Sequence, residues 1–268
     1  MAERYRLEIL DHREVAPGHW EMLLPRVGGL RDAEPGQFVS VLCRTGESWD
    51  PLLRRPFSIY RAEEDAFSFL YRVAGRGTRQ LSRARAGETL DLVGPLGRGF
   101  WYRDLVPGSR VALVGGGVGV PPLFFLSQRL LEAGAVPEIY AGFASARQAV
   151  ALDRWQRLGL APQVATDDGT LGYRGVVTEL LERRLAGEGL QRIYACGPRP
   201  MLREVARLAG AWGIPCQVAM EEWMACGAGV CLSCVIKVED DASPGGRWMR
   251  VCREGPVFDG AKVVWNRA

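Results

Sequence analysis

The chain has 268 residues, 47% of them apolar, enough for two hydrophobic cores and a small appendage. Its 34 basic residues against 31 acidic ones leave a net charge of +3, which argues against a nucleic-acid surface. The charged start Met1-Ala-Glu-Arg is unlike a signal peptide, and the longest uncharged run, residues 111–128, is broken by glycines and prolines, unlike a membrane span. A soluble, cytoplasmic protein of a reducing compartment is expected.

The first hundred residues lack a helical period. Segments 5–10, 20–24, 37–43, 57–61, 66–73 and 89–93, punctuated by Gly, Pro and Asp, predict strands of an antiparallel β-barrel over 1–104, with one helical turn over 79–84. Two strands carry candidate chemistry. In Arg54-Arg-Pro-Phe-Ser58, Arg55 can neutralise a pyrophosphate and Ser58 can bond a flavin ring edge, with Pro56 and Phe57 between them. The bland alternative is an edge strand with surface arginines. Leu70-Tyr-Arg72 adds an aromatic, Tyr71, able to stack on a ring system, beside a cation. Gly75-Arg-Gly-Thr78 follows as an amide-rich turn whose Gly77 and Thr78 amides suit phosphate oxygens.

From Ser109 the pattern alternates. Strands at 110–114, 138–143, 163–166, 192–196 and 217–219 interleave with helices at 122–133, 147–158, 175–185 and 199–212, predicting a parallel, helix-covered sheet over 105–219. Gly116, Gly117, Val118 and Gly119 join its first strand to its first helix, where a phosphate can approach the backbone and the helix N-terminus. A tight turn is the plainer reading. The second strand ends without Asp or Glu, so the ordinary dinucleotide fingerprint is missing. Cys196 and Gly197 end a later strand, where Cys196 either faces a nicotinamide ring or is simply buried. Asp167-Asp-Gly169 is a turn or a binding loop, and Arg147 either meets a 2′-phosphate or caps a helix face.

The last fifty residues hold Cys226, Cys231 and Cys234 in C-x4-C-x2-C order, with Cys252 following, the spacing of a plant-type [2Fe–2S] site. Gly227 and Gly229 lie inside the loop, where close backbone approach demands residues without Cβ. A four-cysteine zinc site usually pairs two C-x2-C knuckles, and only one is present. A Rieske centre needs histidine ligands, yet the only histidines are His12 and His19. Segment 220–268 is too poor in apolar residues to fold alone, so the metal is expected to be its core. Cys43, Cys196 and Cys216 read as small buried residues.

Together these segments resemble the ferredoxin reductase superfamily and, within it, the electron-transfer subunits of heteromeric, NAD-dependent dihydroorotate dehydrogenases. Arg-Arg-Pro-Phe-Ser-Ile, Tyr-Arg-Val-x-Gly-x-Gly-Thr, Gly94-Pro-Leu-Gly-Arg-Gly-Phe100, the triple-glycine loop, Asp168-Gly-Thr-Leu-Gly-Tyr-Arg-Gly-Val-Val-Thr178 and Cys-Gly-Pro-x-x-Met carry the likeness. So do Met224-Ala-Cys-Gly-Ala-Gly-Val-Cys-Leu-Ser-Cys and Val251-Cys-x-Glu-Gly-Pro-Val-Phe258, which extend it over nearly the whole chain. A longer polar stretch at 239–247 departs from it. Hydrogenase gamma subunits and small subunits of bifurcating ferredoxin:NADP transhydrogenases share most of these motifs. The resemblance implies FAD on the barrel, held by Arg55–Ser58, Leu70–Arg72, Gly77 and Thr78, NAD(H) on the parallel sheet, and a [2Fe–2S] cluster beside the flavin. It also implies an FMN-containing catalytic partner, two copies of each chain forming a heterotetramer, and a role in pyrimidine biosynthesis. The alternative is an NAD(P)H-dependent reductase of a hydrogenase, transhydrogenase or oxygenase system.

Overall fold

The computed structural model describes residues 2–44, 49–187, 189–240 and 242–265. Seven antiparallel strands form the curled first sheet: β1 (Glu3–Glu8), β2 (Asp11–Ala16), β3 (His19–Pro25), β4 (Phe38–Val41), β5 (Arg55–Ala62), β6 (Ala66–Arg72) and β7 (Thr89–Leu96). Their order is β1-β7-β4-β5-β6-β3-β2. Helix α1 (Arg76–Leu81) lies between β6 and β7, beginning slightly before the expected turn. Strand β2 escaped the sequence reading: Asp-His-Arg-Glu-Val-Ala is polar, and its ladder with β3 makes it a half-exposed edge strand.

The second sheet is built from β8 (Arg110–Gly116), β9 (Val136–Phe143), β10 (Gln163–Thr166), β11 (Tyr173–Arg174), β12 (Leu190–Cys196) and β13 (Cys216–Ala219). All these pair in parallel, with helices α2 (Val120–Glu132), α3 (Leu152–Arg157), α4 (Val177–Leu185) and α5 (Arg199–Ala211) between them. Val111 to Val114 are wholly buried, as a central parallel strand covered on both faces requires. The helix expected over 147–158 is shorter. Ala146–Gln148 makes a 3-10 turn and Ala151, at φ 68°, breaks the chain into the left-handed region before α3 begins.

Strands β14 (Val235–Asp240) and β15 (Ser243–Arg250) form a hairpin that absorbs most of the extended polar stretch. Strand β16 (Val257–Asp259) then pairs antiparallel with β13 and becomes the edge of the second sheet. The segment's apolar side chains Ile236, Val251 and Phe258 share one core with Phe38 and Leu96 of the barrel and Leu202 and Val205 of α5. The expectation that a metal alone would serve as this segment's core is therefore corrected. The chain's own hydrophobic contacts seat the segment between the two sheets.

Barrel and second sheet are joined by a buried charge. Glu21 on β3 is 3% exposed and accepts hydrogen bonds from Arg61 Nε (2.9 Å), Ser68 Oγ (3.0 Å) and Arg154 Nη2 of α3 (2.8 Å). The Arg154 guanidinium also stands 5.6 Å from the Tyr60 ring centroid. Burial alone would raise the Glu21 carboxyl, but Arg154 and Arg61 outweigh it and hold it below its ordinary range. Its contribution is present above the unfolded carboxyl value of about 4.3 and is lost as pH falls through the depressed folded value. Glu21→Ala takes the shared carboxylate from the half-buried Arg61, which keeps Glu63, and from Arg154, and should lower stability by about 3 kcal/mol, read as a shift of the urea midpoint at pH 7.

Candidate functional site

Strand alternation sorts the barrel's candidate residues onto two faces. Phe57, Ile59, Phe69 and Tyr71 pack in the barrel core, whereas Tyr60 and Leu70 join the core shared with α2. Ser58 lies with the second group, paired across the β4–β5 ladder with Phe38, while Pro56 pairs with Ser40. Arg55 is at the barrel mouth beside α1: a Cβ on Gly77 would stand 3.5 Å from both Arg55 Cγ and Cys43 Cβ. The structure therefore brings Arg55 and Gly77 together from segments that are separate in sequence. Arg54, by contrast, is a clamp, its Nη2 bonded to Asp91 Oδ1 (2.6 Å) and its Nη1 to the Asp91 carbonyl (3.0 Å).

Two expectations change in detail. The Thr78 hydroxyl accepts the amides of Ala74 (2.9 Å) and Gly75 (3.0 Å), so it closes the turn into α1. The Gly77 and Thr78 amides, in a first helical turn that has no carbonyls for them, remain for a ligand. Tyr71 does not offer its ring for stacking. It is 3% exposed, its ring centroid is 5.4 Å from that of Phe57, and its hydroxyl lies 2.9 Å from His12 Nε2. His12 Nδ1 lies 2.8 Å from the Ala84 carbonyl, which only accepts, so Nδ1 carries the proton and Nε2 accepts from Tyr71. Desolvation raises the Tyr71 phenol and lowers the His12 imidazole, keeping both neutral. Leu70 and the exposed Arg72 flank it on the strand.

Arg44, after β4, was not singled out from the sequence because it belongs to no motif. Its Nη1 is buried without a hydrogen-bond acceptor among the described residues, an arrangement open to an anionic ligand oxygen.

The glycine loop of the second sheet is dictated mainly by packing. A Cβ on Gly116 would stand 2.7 Å from Met201 Sδ, and one on Gly119 2.3 Å from the Cys196 carbonyl oxygen. Gly197, at φ 156°, is pressed against Gly116 in turn. Gly117, at φ 54°, faces open space, and Val118 beside it is exposed. A crevice of about 500 Å³ opens there, lined by Gly116, Gly117, Phe143, Asp167, Thr178 and Met201 among others. It lies outside the carboxyl ends of the parallel strands, where ligands bind in such sheets. Arg147 is not among the lining residues, but Gln148 is. Asp168 caps its own turn through the Thr170 amide (3.0 Å), which leaves Asp167 to face the crevice. Cys196 is 3% exposed, its thiol raised by burial, at the end of β12 next to Gly115.

The four cysteines form two pairs. The Cys226 sulfur accepts the amides of Ala228, Val230 and Cys231, each at 3.4 Å. Desolvation opposes ionisation there, but these amides prevail and lower the thiol to about 6. Cys234 and Cys252 are each 2% exposed, and the Cys252 amide donates to Cys234 Sγ at 3.4 Å. Burial, then the Cys234 neighbour, pushes the Cys252 thiol up to about 12. Among the described residues no three His, Cys, Asp or Glu side chains surround a single point closely enough for one ion. An outer pair, Cys226 and Cys231, and an inner pair, Cys234 and Cys252, supply the four thiolates that a [2Fe–2S] centre takes.

The loop meets the barrel at a glycine. Gly227, at φ 65°, lies where a Cβ would stand 3.2 Å from Ser40 Oγ, and Ser40 is the ladder partner of Pro56. The inner pair shares its core with Phe38, the ladder partner of Ser58. Cysteine loop and barrel face are thus two sides of one contact.

The loop glycines separate by cause. Gly119→Ala forces a Cβ into an immovable carbonyl and should cost about 3 kcal/mol in chemical denaturation. Gly117→Ala bears only its left-handed backbone, about 1 kcal/mol, and should leave the crevice intact.

A family model described as the iron-sulfur cluster binding domain of dihydroorotate dehydrogenase B matches residues 221–264. A Desulforamulus reducens protein named dihydroorotate dehydrogenase B (NAD(+)), electron transfer subunit, is 38% identical over 268 residues, spanning 99% of this chain and 100% of the relative. A Bacillus cereus protein of the same name is 38% identical over 267 residues, spanning 98% and 100%. Among solved structures, an NADH-dependent reduced ferredoxin-NADP oxidoreductase studied for flavin-based electron bifurcation superposes with a TM-score of 0.83 at 28% identity, over 97% of this chain and 90% of that one. A Neisseria gonorrhoeae ferredoxin NADP+ reductase with bound FAD and NADP shares the fold, with a TM-score of 0.66 at 17% identity over 80% and 93%. Paired cysteines against a reductase-type barrel and full-length relatives of one name lead to one conclusion: the chain belongs to the family of electron transfer subunits of dihydroorotate dehydrogenase B (NAD(+)), an oxidoreductase subunit.

Proposed function

We propose that this chain carries electrons from an FMN-containing catalytic subunit, where dihydroorotate is oxidised, through a [2Fe–2S] centre and FAD to NAD⁺, in a heterotetramer with two copies of each subunit. The single observation that carries this reading is the contact of Gly227 with Ser40, which sets the cysteine loop beside the barrel strand bearing Arg55 to Ser58. When bound, the cluster exchanges single electrons whereas the flavin passes a pair as hydride, so their adjacency lets one protein convert between the two currencies.

The chain's own residues divide the work of holding these groups. Cys226, Cys231, Cys234 and Cys252 would ligate the irons, and the three amides aimed at Cys226 would stabilise thiolate charge. Arg55 and the Gly77 and Thr78 amides would hold the FAD pyrophosphate. Pro56, Ser58 and Leu70 would face the ring, with Phe57 and Tyr71 supporting their strands from inside the barrel and Arg72 at the rim. Gly116 to Gly119 and the Cys196–Gly197 turn would frame the nicotinamide dinucleotide, with Gly117 nearest its phosphates. Hydride transfer to NAD⁺ itself would need no proton donor, and the one proton that FAD would take up with its two electrons is drawn from solvent, with no side chain assigned to it. We assign residues 1–104, 105–219 and 220–268 to the FAD, NAD and cluster units respectively, with β16 of the last completing the sheet of the second.

The outer cysteine pair opens onto an apolar rim. Trp223, Val230 and Leu232 are 91%, 79% and 60% exposed, an unusual cost for a chain with no partner. We assign the catalytic subunit to this rim. None of the seven cysteines is disulfide-paired among the described residues, in keeping with a reducing compartment, and among the same residues no helix is long and apolar enough to cross a membrane.

Affinity capture from native extract should recover FMN, FAD and iron in comparable amounts, and iron with FAD alone would favour a stand-alone reductase. Trp223→Glu should reduce the recovered FMN about tenfold while FAD and iron stay with the chain. Unchanged FMN recovery would move the docking surface elsewhere.

A further inference from the structure

One charged pair beside the cysteines is not explained by ligation. Arg250, at the end of β15, sends Nη1 to the Gly229 carbonyl at 2.6 Å, and Gly229 lies midway along the outer loop between Cys226 and Cys231. Its Nε bonds Glu254 Oε2 at 2.9 Å, its Nη2 bonds Glu254 Oε1, and its own amide donates to Glu254 Oε2 at 2.8 Å. The Glu254 amide returns a bond to the Arg250 carbonyl at 2.9 Å, closing a compact ring around the turn that holds Cys252. Side by side with it, the Val251 amide bonds the Cys234 carbonyl at 2.8 Å. Arg253 completes the seat: a Cβ on Gly229, at φ 83°, would stand 2.6 Å from Arg253 Cδ.

The outer loop and the Cys252 turn therefore belong to separate stretches of chain, joined at this point by one guanidinium. A planar, bidentate donor suits that task, since it grips Glu254 with one edge and reaches the loop carbonyl with the other. We propose that Arg250 and Glu254 are positioning residues for the iron–sulfur centre: the pair fixes the outer loop against the Cys252 turn, and its two charges set the centre's reduction equilibrium. This inference rests on the cluster assignment made above.

Reduction adds one negative charge to the centre, so a nearby cation favours the reduced form and a nearby carboxylate the oxidised form. In the wild type the two nearly offset each other. Arg250→Ala removes the cation and strands the Glu254 carboxylate, so the reduction midpoint falls. Glu254→Gln strands the cation, so the midpoint rises. Loss of structural support alone has no reason to move the two variants in opposite directions.

The test uses the full chain purified anaerobically with its catalytic subunit. Iron and acid-labile sulfide are counted first, because their absence from the wild type would overturn the cluster assignment itself rather than this proposal. Redox titration followed by the paramagnetic signal of the reduced centre should then show opposed midpoint shifts for Arg250→Ala and Glu254→Gln, each about threefold or more in the one-electron equilibrium constant. Iron release to a chelator should be about tenfold faster in Arg250→Ala, and Arg250→Lys, which keeps the charge but not the fork, should restore the midpoint more fully than the release rate. If Arg250→Ala yields no folded protein, Glu254→Gln and Arg250→Lys decide. Midpoints that stay at the wild-type value, or shift in the same direction in the alanine and glutamine variants, would overturn the proposal.

Discussion

The backbone of the cysteine loop can lie against the barrel only because Gly227 has no side chain. A Cβ there would crowd Ser40 Oγ at 3.2 Å, and the φ of 65° would be strained for any larger residue. That approach connects a loop built around sulfur with a strand built to face a ring. It also explains why the loop's other glycine matters for a different reason: Gly229 yields its space to Arg253, on the opposite side. One glycine faces the barrel and the other faces the Cys252 turn, so the loop is gripped from both directions.

Energetically, the assembly is held by a shared apolar core more than by polar links. Phe38 and Leu96 from the barrel, Leu202 and Val205 from α5, and Ile236, Val251 and Phe258 from the last segment pack together, and Cys234 and Cys252 are buried within the same group. The inner pair is thereby kept in a dry environment while the outer pair remains at the surface. Glu21 adds a directional bond between the two sheets, since a carboxylate buried with Arg61 and Arg154 is satisfied in only one relative placement.

Much of this was legible in the residues alone. The run Val111 to Val114 announces a buried parallel strand, and the cysteine-rich end announces an iron–sulfur domain, because periodicity and ligand spacing are local properties. What depends on tertiary pairing was not legible. Strand β2 is polar and exists through its ladder to β3, and β16 is three residues long and exists through β13. Tyr71 carries an aromatic ring suited to stacking, yet its place in the alternation of β6 turns it into the barrel toward His12. Three of the loop glycines look like a phosphate cradle, but Gly116 and Gly119 are small because Met201 and Cys196 stand against them. Arg44 and Arg250 are single arginines in an arginine-rich chain, and only their surroundings distinguish them.

The antiparallel strand β16 has a consequence for solubility. A parallel sheet that ended at β13 would display a row of unpaired amides and carbonyls, an invitation to edge-to-edge association with other copies. Gln217, Val218 and Ala219 instead find Asp259, Phe258 and Val257, and these follow the Cys252 turn by only a few residues. The stretch that carries the fourth cysteine therefore doubles as the guard of the sheet's open flank, and a chain that failed to seat it would be sticky as well as inactive.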